Sequence, residues 1–303
     1  MAIEYLAGNR LRGTTAEKLS LGTPTSFLNS NVSNSGCKVY YNFEQTSSDL
    51  TNIATTGNGF SDGLGSSLDA TVTGSPTRNT TGKVGSYATT NVDGAYFTLP
   101  STSGNSSLAF LSYTSYSLSF WIKKASSGAN TIIASTMGSG GWSGYSLSLD
   151  TSTGRLSSYR RASTGGSPYG EQWAYDDAIT DSDWHNLVIT ATSTSGGAKL
   201  YIDGSEKTLT FSYTNSMTGS GYHQGDLVLF GMGSGGVGAQ SESEHTLDEF
   251  VIFDRTLSST EVSNIYNEQY FGTANVQDGA IYYDTDLNKE YVLYNNTWTE
   301  VWA

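Results

Sequence analysis

Two groups of side chains in this chain are of types that could do chemistry. The first is acidic: Glu242, Glu244, Asp248 and Glu249 lie within the run SESEHTLDEF. A retaining glycosidase needs two carboxylates about 5–5.5 Å apart, which a strand supplies when acidic residues alternate on the face toward a cleft. Here Glu242 and Glu244 precede the expected strand, while Asp248 and Glu249 are neighbours that point to opposite faces, so the pattern for acid/base hydrolysis is missing. The second group is aromatic. Trp142 and Tyr145 sit in GSGGWSGYS, and Tyr169, Trp173 and Tyr175 in SPYGEQWAYDD, all among Gly or polar neighbours. Aromatic faces on loops suit sugar rings, so these five are the candidate glycan-binding residues; covering the edge of a sheet or meeting a neighbouring subunit is the other use of such rings. His185 has no nucleophile paired with it in the sequence and is expected, with Trp184, to fix the entry of a hairpin. Arg160 and Arg161 read as a solvated pair on a turn.

These side chains need strands to hold them. Ser182 to Ser205, SDWHNLVITATSTSGGAKLYIDGS, places two alternating strands around Ser195-Gly196-Gly197, which specifies a hairpin. Further strands are expected at 38–43, in two pieces within 83–100, and at 117–123, 131–135, 145–150, 155–159, 227–231 and 247–253. Alternation in SLSFWIK and YSLSLD predicts one face on the core and one toward solvent. One helix is expected from Ser258, where Ser258 and Glu261 form a capping box and Leu257 and Val262 a hydrophobic staple, with Gly272 placed to stop it.

Composition agrees: 35 Gly, only 4 Pro and 14% charged residues describe many strands joined by many turns. The formal net charge of −13 disfavours nucleic acid as a partner. Cys37 is the single cysteine, so no intrachain disulfide framework exists. No apolar run is long enough to span a membrane, and the opening MAIEYLAGNRLRGTT lacks the pattern of an export signal, which points to release in a particle.

From about 36 to 272 the chain resembles the laminin-G-like, concanavalin A-like lectin/glucanase superfamily. The resemblance rests on YYNFE, TTGKVGSYATTNVDGAYFTLP, SYSLSFWIK, the Ser182 to Ser205 hairpin and LDEFVIFDRTLSSTEVSNIYN, in that order. It implies an all-β jelly-roll sandwich of two antiparallel sheets with one short C-terminal helix. The superfamily's glucanases carry Glu-x-Asp-x-x-Glu on one strand, and the acidic residues here do not match it. Relatives often hold a structural calcium, which makes Glu44 and Asp248 the candidate ligands and Asp93, in an Asp-Gly turn, a further one. Asp248 shares parity with Phe250 and Ile252; if that side faces the core, its carboxylate needs backbone amides or a cation.

The flanks differ in kind. Residues 1–34 read as an arm and linker, 35–272 as the jelly-roll domain, and 273–303 as a small β segment with turns at Asp286-Leu287-Asn288 and Asn295-Asn296. IEYLAGNRLRGTT and GAIYYDTDLNKEYVLYNNTWTEV resemble segments of phage or viral tail, fibre and capsid-associated proteins. Each flank is too small to fold alone and is expected to be ordered by assembly. The expectation is therefore a non-enzymatic virion surface or appendage protein, homo-oligomeric, bound to other virion proteins through both flanks and to host glycans through the sandwich. A cell-surface or secreted carbohydrate-binding adhesin, and a divergent glycoside hydrolase, are the alternatives.

Overall fold

The computed structural model describes residues 4–6, 10–14, 18, 27, 32–45, 49–79, 81–86, 88–90, 92, 94–100, 108–126, 130–137, 144–161, 170–215, 226–230, 245–271, 279–294 and 297–301. The chain forms two compact units, one of residues 33–262 and one of 1–32 together with 263–303. No helix among the described residues is long and apolar enough to cross a membrane.

The larger unit is a sandwich of two antiparallel sheets, as expected. One sheet runs in the order Thr210–Thr214, Gly170–Tyr175, Leu156–Arg161, Gly144–Asp150, Asn130–Ser135, Leu227–Leu229, Tyr96–Leu99, Thr71–Thr73. The other runs Ser205–Lys207, Lys199–Ile202, Trp184–Ala191, Tyr116–Lys123, Thr246–Phe253, Ala88–Thr90, Thr77–Asn79, with Cys37–Tyr41 also paired to Thr246–Phe253. Side chains of period two build the core between them: Leu118, Phe120 and Ile122 from one sheet meet Tyr145, Leu147 and Leu149 from the other in one apolar cluster.

The alternation in YSLSLD does separate two environments, with Leu147 and Leu149 buried and Ser146, Ser148 and Asp150 half-buried. SLSFWIK does not behave that way. From Tyr116 to Ile122 every residue is buried, because the outer face of this central strand is also covered. Lys83 lies over the Trp121 ring at 4.6 Å, and the Ser117 hydroxyl donates to the Arg255 carbonyl at 2.8 Å while accepting from the Leu257 amide at 2.9 Å.

The helix Ser259–Phe271 starts as its sequence requires. The Ser258 amide donates to Glu261 Oε2 at 2.9 Å and the Glu261 amide donates back to Ser258 Oγ at 3.2 Å, satisfying two N-terminal donors reciprocally. Gly272 lies outside the described residues.

The flanks depart from the three-part division of 1–34, 35–272 and 273–303. Rather than two separate attachments, they fold together as one five-stranded sheet, ordered Glu4–Leu6, Arg10–Gly13, Ile281–Asp284, Lys289–Tyr294, Thr297–Glu300. Arg10–Gly13 and Ile281–Asp284 pair in parallel. Leu11, Ala280, Tyr282 and Leu293, with Trp298 against them, form a core of their own. Lys18 Nζ lies 2.8 Å from Asp284 Oδ2, and both side chains are buried. Each flank is the surface the other needs.

Candidate functional site

Of the sequence-selected aromatics, the three among the described residues, Tyr145, Trp173 and Tyr175, do not form an exposed platform for a sugar. Gly170–Tyr175 is a strand, not a loop, in register with Leu156–Arg161 so that Trp173 faces Ser158 and Tyr175 faces Leu156. Tyr145, Trp173 and Tyr175 are 0%, 1% and 7% exposed and belong to the core between the sheets, where their faces are closed to a ligand. Trp142 and Tyr169 lie outside the described residues, as do Asp93, Glu242 and Glu244.

The carboxylates are occupied by backbone. Between Asp248, opposite Trp121, and Val251, opposite Ser119, the strand Thr246–Phe253 carries one extra residue, and Glu249 takes φ 52°. This bulge reverses parity. Leu247, Phe250 and Ile252 face the inter-sheet core, while Asp248 turns to the outer face with Trp121 instead of sharing the Phe250 side. There its Oδ2 accepts from the Lys83 and Val84 amides at 2.8 and 3.0 Å, and its Oδ1 from the Glu249 amide at 2.9 Å. Burial first, and then the neighbouring Glu249, push its carboxyl well above the ordinary value, against the pull of those amides. Glu44 likewise accepts from the Ser86 amide at 3.0 Å. N–H donors aimed at these oxygens supply hydrogen bonds that compensate the carboxylates without a cation. Glu249, 1% exposed, accepts from the Tyr40 hydroxyl at 2.9 Å.

His185 does what its place before the hairpin suggested. Its Nδ1 meets Asp203 Oδ2 at 2.7 Å and its Nε2 meets Asp181 Oδ1 at 2.9 Å. The bond to Asp203 raises the imidazole pKa to about 9, burial opposing it and Asp181 adding to it. Asp203 and Gly204, at φ 52° and 73°, form a two-residue turn of the kind that needs left-handed backbone at both positions. Asp203 also accepts from the Asn186 amide at 2.9 Å, so the clamp locks the first strand to the end of the second.

Arg160 is the largest departure from the sequence reading. The strand Leu156–Arg161 extends through both arginines, and Arg160 points between the sheets at 1% exposure, while Arg161 stacks on Tyr159 at 5.5 Å. Arg160 Nη2 lies 2.9 Å from Glu171 Oε1, also 1% exposed, and its Nη1 donates to the Thr114 carbonyl at 2.9 Å. Its guanidinium carbon sits 5.5 Å from the centre of the Tyr116 ring, which packs edge-on against Tyr145 at 5.4 Å. Burial raises the Glu171 carboxyl above its ordinary value even though Arg160 opposes the shift. Glu171 Oε2 accepts from the Gly196 amide at 2.6 Å, and the Ser195 hydroxyl donates to the Gly170 carbonyl at 3.0 Å. The buried ion pair thus fixes the tip of the Trp184 to Asp203 hairpin against the edge of the other sheet.

That tip borders a cleft of about 530 Å³, where Gly196, Gly197, Ala198 and Lys199 meet the run from Glu206 to Leu209 and Phe211. Leu209 and Phe211 are half-buried against the core, and Phe211 is in register with Trp173. Gly197 has no room for a side chain, since a Cβ there would lie 2.0 Å from Thr192 Oγ1, and Gly196 has φ 80°. Lys199 pairs with Glu206 at 3.0 Å on the rim. In the sequence these glycines mark only a turn. The signal for the cleft is the continuation SEKTLTF beyond the Asp203-Gly204 turn, where apolar Leu209 and Phe211 alternate with polar residues.

Among known families, residues 89–263 match the model described as the concanavalin A-like lectin/glucanases superfamily. Solved structures share the fold at low identity. Trypanosoma rangeli sialidase in complex with sialic acid aligns at 15% identity and a TM-score of 0.52, covering 77% of this chain and 33% of that one. The binding domain of botulinum neurotoxin DC in complex with SialylT aligns at 15% identity and a TM-score of 0.54, covering 78% of this chain and 52% of that one. The botulinum neurotoxin serotype D binding domain gives 17% identity, a TM-score of 0.53, and coverages of 78% and 51%. The chain therefore spans about a third of the sialidase and about half of the toxin domains. No curated protein sequence matches it.

Proposed function

We propose that this chain, which belongs to the concanavalin A-like lectin/glucanase superfamily, is a non-enzymatic carbohydrate-binding adhesion protein of a virion surface or appendage. The observation that carries the binding part is the cleft at the sandwich edge. Its volume falls within the roughly 300–1,000 Å³ usual for small-ligand sites, and it joins an aromatic ring, Phe211, to hydrogen-bonding side chains, Thr208 and Lys207. Sugar rings need that combination, an apolar face for their C–H side and polar groups for their hydroxyls. Ligands of two proteins that share the fold, sialic acid and SialylT, support the same reading. The non-enzymatic part is supported by Asp248 and Glu249, which are 0% and 1% exposed and already hydrogen-bonded. The virion part is supported by the flanks, whose sequences resemble viral segments and which combine into a unit separate from the sandwich and suited to attachment and subunit contacts.

A glycan array probed with the purified chain tests the binding reading. Binding to at least one glycan class is expected, with at least ten-fold weakening in Phe211→Ala at a temperature where the variant is folded; an array with no hit removes the reading. Hydrolysis of the bound glycans, read as released reducing sugar, would remove the non-enzymatic part. Mass spectrometry of purified particles is expected to find the chain in stoichiometric amount, and finding it only as a free or cell-surface protein would favour an adhesin of another setting.

A further inference from the structure

We propose that the cleft selects acidic saccharides, with Lys207 as the counter-charge for a carboxylate or sulfate on the sugar; this rests on the carbohydrate-binding reading. Three charged side chains line the cleft, and two cancel. Lys199 and Glu206 meet at 3.0 Å with their side chains 52% and 49% exposed, and the hydrogen bond to Glu206 keeps the Lys199 ammonium charged by raising its pKa. Lys207 has no ion-pair partner among the described residues, so the cleft carries one uncompensated positive charge.

Register places that charge toward the ligand space. Lys207 lies opposite Leu200, a core residue facing the other sheet, so Lys207 points to the inter-sheet side, where Leu209 and Phe211 are. Glu206 lies opposite Tyr201 on the outward side. The Gly196 and Gly197 amides at the hairpin tip have little left to offer an anion. The Gly196 amide is committed to Glu171 at 2.6 Å and the Gly197 amide to the Thr194 carbonyl at 3.1 Å. Recognition of charge therefore falls to Lys207, with the exposed Thr208 beside it for a hydroxyl.

The setting makes the local charge informative. A chain of net charge −13 repels acidic ligands at long range, but that field is screened beyond about 8 Å at physiological salt. A ligand seated in the cleft is governed by the nearest ammonium. The competing role for an inward lysine on an edge strand is to block pairing with another chain, and the experiment below separates the two.

Affinities of the full chain for lactose, 3′-sialyllactose and 3′-sulfolactose are measured by titration calorimetry, alongside array pairs that differ only by one carboxylate or sulfate. The acidic member is expected to bind about ten-fold tighter, with the preference shrinking as salt rises. In Lys207→Met the ratio of acidic to neutral affinity should fall to within about two-fold, whatever the loss in neutral binding. The carboxylate and sulfate arms tell which anion is read. Equal binding of acidic and neutral members, or a preference that survives Lys207→Met, overturns the proposal and leaves the carbohydrate reading standing. Unchanged preference with increased aggregation in that variant assigns Lys207 to edge protection instead. Binding of no sugar at all overturns both.

Discussion

Replacing Glu171 with Gln separates two roles that this side chain combines. Gln is isosteric and keeps an oxygen for the Gly196 amide, now at 2.6 Å from Glu171, but it removes the charge that faces Arg160. The guanidinium would remain at 1% exposure with the Thr114 carbonyl and the Tyr116 ring as its named partners. Leaving one member of a buried pair uncompensated costs about 3–5 kcal/mol, a large part of the roughly 5–15 kcal/mol that holds a typical domain together. At about 2–4 °C per kcal/mol for a domain of this size, Tm should fall by roughly 6–20 °C. Urea unfolding followed by tryptophan fluorescence reads the same loss as a lower midpoint with an unchanged slope. The double variant Arg160→Met with Glu171→Gln, which removes both charges and keeps an acceptor for the Gly196 amide, should recover most of it. Replacing a buried ion pair by apolar side chains of similar volume is often neutral or stabilising, because the attraction between the charges only partly offsets their desolvation. The reasoning fails if Glu171→Gln costs less than about 1 kcal/mol, or if the double variant loses the sum of the two single changes.

The His185 clamp gives a pH dependence. A folded-state pKa raised from 6.5 to about 9 contributes stability that is complete below 6.5 and disappears as pH rises through 9. With the side chain 18% exposed, the wild type should lose on the order of 1–2 kcal/mol between pH 6 and pH 10 relative to His185→Gln; parallel pH profiles would refute the clamp. Because Asp248 and Glu44 are held by backbone amides, EDTA or millimolar calcium should leave Tm within about 1 °C. A calcium-dependent rise of several degrees would return a cation to that site.

Local, short-range patterns were the legible part of this sequence. The capping box at Ser258 and Glu261 and the hairpin that ends at Asp203-Gly204 depend on residues a few positions apart, and both formed as read. Counting parity failed at Glu249, where one bulged residue turned Asp248 to the opposite face, and nothing in LDEFVIF marks the bulge. Gly170–Tyr175 was hidden because its inward positions begin with Glu171, whose burial makes sense only beside Arg160. The cleft was illegible for a related reason. Its walls come from a hairpin tip and a sheet edge, and that meeting depends on Glu171 and Gly170 receiving Gly196 and Ser195.

The parallel pairing of Arg10–Gly13 with Ile281–Asp284 also sets an order of events during synthesis. An N-terminal strand emerges from the ribosome first, yet its partner is about 270 residues away, roughly 14–54 s later at about 5–20 residues per second. The sandwich strands lie between these two segments in the chain and have all their partners before the last one is made. The first strands must therefore wait with an open hydrogen-bonding edge, and a nascent chain stalled before Ile281 carries a completed sandwich with an unpaired arm. Such a chain is open to any other strand that reaches the arm first, including the closing segment of a neighbouring copy.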